Sequence, residues 1–165
     1  MSDTVYSKAQ LDAIAAAIGA RISANAAREG YCVTGSGANI DVSERQMLLT
    51  VEAEADPNYS LSSNQVTVTS GGLFLVSFSI YFDEEDNTGA ARSVIDGFIK
   101  VGGSKSARSV SPGYTRELSG GGGASNTFVK TLPDGAVIDL FTDGVQTTPN
   151  LAQGATQLSL VKLGG

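Results

Sequence analysis

A chain of 165 residues, 41% hydrophobic and 17% charged, is long enough to bury one substantial core and too apolar to be disordered. Eleven Lys and Arg against seventeen Asp and Glu leave a net charge of -6, which repels a phosphate backbone and argues against nucleic acid as a partner. There is no histidine, which removes the usual triad base and the commonest transition-metal ligand. A single cysteine, Cys32, rules out any intrachain disulfide.

The amino-terminal region carries Lys8 and Asp12 inside its most apolar part and so lacks the uninterrupted run of a signal peptide. No stretch approaches the ~18 apolar residues needed to span a bilayer. These features predict a protein made in the cytoplasm, with no membrane insertion. Residues 6 to 29, "YSKAQLDAIAAAIGARISANAARE", predict one alanine-rich helix. Leu11, Ala15, Ile18 and Ile22 recur at spacings of four, three and four, and with Ile14 they supply the large apolar groups of a narrow stripe. Ser7 is placed as an N-cap and Gly30 as a stop. An isolated helix of this length is marginal in water. Leu11, Ile14, Ile18 and Ile22 are therefore expected to pack on the chain's own body or on copies of itself, making residues 1–45 a helical anchor and linker. The linker is "GYCVTGSGANIDV", residues 30 to 42, in which Cys32 reads as a small buried residue.

From residue 46 to 165 every readable period is two, as in strands. "MLLTVEAEA" puts Met47, Leu49, Val51, Ala53 and Ala55 on one face. "NQVTVTS" leads to a glycine pair and then to "LFLVSFSIYF", whose parity gives Phe74, Val76, Phe78, Ile80 and Phe82 as a continuous core face. Its other face mixes Leu73, Leu75 and Tyr81 with Ser77 and Ser79, which suits neither open solvent nor a second core. "SVIDGFIKV", segments around Val110 and Tyr114 to Leu118, "NTFVKTL", "AVIDLFT" and "TQLSLVKL" complete seven to nine strands, with the glycine run 120 to 123 placed as a loop. Turn signals between strands, with no helix among them, predict a mainly β sandwich or jelly roll preceded by a short helical anchor.

Three segments invite a chemical reading. "DEEDN" contains Asp83, Glu84, Glu85 and Asp86, whose hard oxygens suit calcium. Lacking the alternating ligand pattern of a dedicated site, it reads more simply as a solvated loop that ends a hydrophobic strand. "GSGANI" lacks the third glycine of a dinucleotide fingerprint and reads as linker, and "GGSKS" at 102 to 106 fits a hairpin turn better than a phosphate loop. Nothing marks a carboxylate pair for glycan cleavage, so no enzyme and no cofactor is expected.

"QVTVTSGGLFLVSFSIYF", "LPDGAVIDLF" and "GATQLSLVKL" together resemble the trimeric jelly roll of tumour necrosis factor and complement-type globular heads. The resemblance covers about two-thirds of the chain, with Ala136 where that family has an aspartate and Leu158 and Leu160 where it has an aromatic. It implies a homotrimer in which neighbouring protomers cover Leu73, Leu75 and Tyr81. "YSKAQLDAI" resembles a segment recurring in bacteriophage fibre and appendage proteins. Together these imply a virion protein, foremost a capsid decoration protein held on the major capsid protein or another virion component by its amino-terminal segment. The alternatives are a fibre tip binding a host-surface glycan, and a secreted lectin or signalling head of cellular origin, for which a signal sequence and disulfides are expected.

Overall fold

The computed structural model describes residues 7–26, 30–40, 43–54, 56–84, 92–116, 122–146 and 151–164. Helix α1, Lys8–Ala26, begins at a reciprocal cap: Ser7 Oγ accepts from the Gln10 amide at 3.3 Å, and Gln10 Oε1 accepts from the Ser7 amide at 2.8 Å. An exposed Lys8–Asp12 pair at 2.7 Å adds little. Alanines occupy all sides of α1, so it is only weakly amphipathic, and residues 7–18 are exposed throughout. Among the described residues no strand packs closely on that part of the helix.

The strands are β1 Gly30–Gly35, β2 Asn39–Ile40, β3 Arg45–Gln46, β4 Val51–Glu54, β5 Tyr59–Ser62, β6 Gln65–Val68, β7 Gly72–Glu84, β8 Arg92–Val101, β9 Ser104–Lys105, β10 Ser111–Arg116, β11 Gly122–Leu132, β12 Ala136–Gln146 and β13 Leu151–Gly164. A 3-10 turn, Ala107–Ser109, precedes β10. They build two antiparallel sheets. The first has the order β11-β7-β13-β1-β4, with β2 paired to β13. The second runs β10-β8-β12-β6-β5, with β3 on β12 and β9 on β8. The long strands at the carboxy-terminal end alternate between sheets, so each crossing brings a new strand over the opposite face, as a jelly roll requires.

Core and alternation agree. Phe74, Val76, Phe78, Ile80 and Phe82 of β7 are all buried, and they meet Ile95, Ile99, Ile138 and Leu140 in one cluster. The sheets close tightly over Gly97 of β8, where an added Cβ would lie 2.9 Å from Ala124 Cβ and 3.1 Å from Phe78. Two-residue turns with left-handed backbone close the hairpins β5–β6, at Ser63 and Asn64, and β8–β9, at Gly102 and Gly103. The second of these is the "GGSKS" turn.

Four expectations change. Residues 30–35, expected as linker, form β1 and pair with β13 from Gly30↔Val161 to Gly35↔Thr156, burying Tyr31 and Val33. This strand lies on the amino-terminal side of the boundary expected at residue 46, because β13 in mid-sheet needs a neighbour on each edge. The face predicted for "MLLTVEAEA" breaks after Leu49: Met47 and Leu49 are buried, but Val51 is exposed. The chain there leaves β3 on the second sheet for β4 on the first, and no single parity survives the crossing. Segment 59–62 is an additional strand. Gly122 and Gly123, expected in a loop, belong to β11, where a Cβ on Gly123 would meet the Ile80 carbonyl at 2.7 Å.

Phe78→Ala should cost about 3–5 kcal/mol, because its neighbours across Gly97 cannot collapse into the space. The loss should be read as a lower urea midpoint with unchanged denaturant slope.

Candidate interaction surface

Register fixes what the first sheet shows on its outward side. Leu73, Leu75, Ser77, Ser79 and Tyr81 of β7 lie opposite Thr131, Val129, Thr127, Ser125 and Gly123 of β11. On the other flank, Val161, Ser159 and Gln157 of β13 align with Leu75, Ser77 and Ser79, and Cys32 and Thr34 of β1 continue the rows. No position among these carries a charge, in a chain that is 17% charged. The middle of the face satisfies itself: Ser77 and Thr127 share a hydroxyl hydrogen bond at 2.9 Å, and Gln157 Nε2 donates to Cys32 Sγ at 3.0 Å and Ser159 Oγ at 3.1 Å. Cys32 is thus half-buried on this face, not a core residue.

The two ends are apolar and open. Leu73 is 42% exposed and Val129 45%, beside half-buried Leu75 and Val161. At the far end Tyr81 is 45% exposed. A β-bulge sets its ring, since Gly154 and Ala155 of β13 together oppose the single residue Tyr81. A Cβ on Gly154 would lie 2.4 Å from Tyr81 Cδ1, so the ring rests against bare backbone. Two open depressions, of about 680 Å³ and 390 Å³, share Ser79 and Ala155 as their common wall.

The outward side of the second sheet is different. Asp96, Lys100, Asp139 and Asp143 alternate there with Phe98 and Phe141. Lys105 Nζ sits 3.8 Å over the Phe98 ring and Lys100 Nζ 4.2 Å over Phe141, while Glu44 pairs with Lys100 and Gln46 Nε2 donates to Asp139 at 2.9 Å. Phe98 is fully buried by its own chain. At the margin of the first sheet, Tyr31 stacks on Tyr59 at 4.9 Å and donates its hydroxyl to Glu52. Burial, reinforced by the Glu52 hydrogen bond and charge, pushes the Tyr31 phenol well above its usual range and keeps it a donor.

Of the residues singled out in the sequence, Leu73, Leu75 and Tyr81 share this outward face, with neither Leu73 nor Tyr81 covered by its own chain. Leu11, Ile14 and Ile18 are exposed on α1, and the Ile22 side chain lies outside the described residues. Asp83 and Glu84 end β7 opposite Ala152 and Leu151, their side chains outside the description, as are Glu85 and Asp86 altogether. Among the described residues no group of three or more acidic or thiol ligands gathers for a metal. Val129, Val161 and the bulge at Gly154 were not singled out. The period of two in "NTFVKT" and "QLSLVK" could have found the first two, but the bulge has no sequence signature.

Gly154→Ala should displace the Tyr81 ring while leaving the core intact. The expected readout is a large shift of the Tyr81 ring resonances, with unfolding free energy changed by no more than about 1 kcal/mol.

No protein-family model matches the chain, and no curated protein matches it. Among solved structures, the chain is similar to crystal structures of murine APRIL. The form at pH 8.5 superimposes with a TM-score of 0.55 at 13% identity, and those at pH 5.0 and pH 8.0 each with 0.53 at 14%. In each case the match covers 82% of this chain and 100% of the other. At such identity the likeness concerns fold, and it shows that the strand order described above is a tumour-necrosis-factor-like jelly roll.

Proposed function

We propose that three copies of this chain pack the outward face of the β11-β7-β13-β1-β4 sheet around a common axis, forming a non-enzymatic head that decorates a virion through its amino-terminal helix. The observation that carries this reading is a sheet face whose central rows, on β11, β7, β13 and β1, are uncharged, with apolar ends that the described residues leave open, acidic positions coming only at its margins, at Glu54 and Asp83. Depletion of charge marks the centre of protein interfaces, and the opposite sheet, charged and sealed by Lys100 and Lys105, lacks that property. Five strands ~4.8 Å apart, from four to fourteen residues long and averaging about ten at ~3.4 Å each, make a face of roughly 800 Å². That matches the ~800 Å² per partner of a stable complex. Three chains of charge -6 carry -18, which disfavours assembly unless the contacting surface is poor in charge, as the central rows of this face are.

The helix supplies the attachment in this reading. Leu11, Ile14 and Ile18, at spacings of three and four, present an exposed apolar edge suited to a three-stranded bundle or a seat on a capsid protein. The likeness to murine APRIL supports a second reading, a signalling head of cellular origin, which shares the threefold packing but has no particle to hold.

Two outcomes are expected. Leu73→Asp combined with Val129→Asp should lower the mass seen by light scattering to that of one chain without unfolding it, because buried unpaired carboxylates oppose association. Deleting residues 1–26 should leave the head assembled and abolish its binding to purified particles. Undiminished binding would refute the anchor, and a head that neither needs nor finds a particle would favour the cellular reading.

A further inference from the structure

A second feature lies away from that face, on the open flank of the sandwich between edge strand β11 and the 3-10 turn at Ala107–Ser109. There a cleft of about 290 Å³ is lined by Lys105, Ser106, Arg108, Phe128, Val129 and Lys130. Three cationic residues line it, of which Lys105 holds its amine over the Phe98 ring and so leaves Arg108 and Lys130 to the cleft, and among the described lining residues there is no carboxylate. Lys130 occupies an inward position of β11, between Phe128 and Leu132, where alternation calls for an apolar group. Among the described residues neither its amine nor the Arg108 guanidinium has an ion-pair or hydrogen-bond partner. In a chain with excess acid, an exposed Arg108 and a half-buried Lys130 beside one cleft form a local positive field suited to an anion.

The walls are held in place. Ser109, fully buried, donates to the Ser106 carbonyl at 2.6 Å and accepts from the Ile99 amide at 3.0 Å, fixing the turn on β8. Asn126 Nδ2 donates to the Arg108 carbonyl at 3.1 Å, tying the turn to β11. Phe128, packed on the core, gives the cleft an apolar wall that a bare inorganic anion has no use for. The volume is at the small end of ligand sites, the size of a single sugar unit.

We propose that this cleft binds the anionic group of a charged saccharide unit, with Arg108 and Lys130 receiving the sulfate or carboxylate and Phe128 facing the ring. It does not depend on the helix, and it shares only Val129 with the proposed threefold contact. The test is titration of the full-length protein with N-acetylglucosamine 6-sulfate, followed by amide chemical shifts, with N-acetylglucosamine and sodium sulfate as separate arms. The sulfated sugar should shift the amides of Arg108, Asn126 and Lys130 saturably and bind more weakly as salt is raised. Arg108→Gln and Lys130→Gln should each weaken it about tenfold or more, with the fold unchanged by circular dichroism. Sulfate binding as tightly as the sulfated sugar would overturn the saccharide assignment. No saturable shift with any probe, or binding by both variants as tight as that of the unaltered protein, would overturn the site and leave Lys130 as a charge that blunts an exposed sheet edge.

Discussion

A β-strand has two faces, and β7 commits only one of them to its own core. Phe74, Val76, Phe78, Ile80 and Phe82 fix the sheet's position, because a slip by one residue would send all five to the outside. The same register then dictates the outer row, Leu73 to Tyr81, and through pairing with β11, β13 and β1 it dictates the character of the whole outward face. The core and the candidate interface are consequences of one alternating pattern.

The asymmetry between the sheets follows from where charge is placed. On the second sheet, cations lie over Phe98 and Phe141 and carboxylates accept from neighbouring side chains, so aromatic surface is covered without a second chain. In the middle of the first sheet, hydroxyls and amides pair with one another and the rows hold no charge to resist desolvation. Removing such a face from water costs little. A concentration of cations at the β11 flank completes the picture: positive charge is scarce in this chain, and its position at that cleft sets the flank apart from both faces.

Much of this was legible in the sequence. The parity of residues 73 to 82 gave the core and the mixed face together, and the Pro133-Asp134-Gly135 turn and the Gly102-Gly103 hairpin marked strand ends correctly. Strand β1 was hidden because Gly30, Gly35 and Gly37 signal a linker, while the reason for a strand there, the unpaired edge of β13, lies some 125 residues away in the chain and leaves no local trace. The crossing after Leu49 defeated periodicity for a related reason: two sheets share one short segment. Gly123 reads as loop in the sequence and Gly154 carries no signal there, but both serve close approach, Gly123 to a backbone carbonyl and Gly154 to an aromatic ring. The convergence of Lys105, Arg108 and Lys130 required the two sheets to be stacked before it could be seen.

The central claim is that copies of this chain shelter the uncharged sheet face. Sedimentation equilibrium of the unaltered protein at micromolar concentration tests it most directly. The account predicts a single species at three times 16.9 kDa. A single species at 16.9 kDa, folded and undiminished in stability, would contradict it.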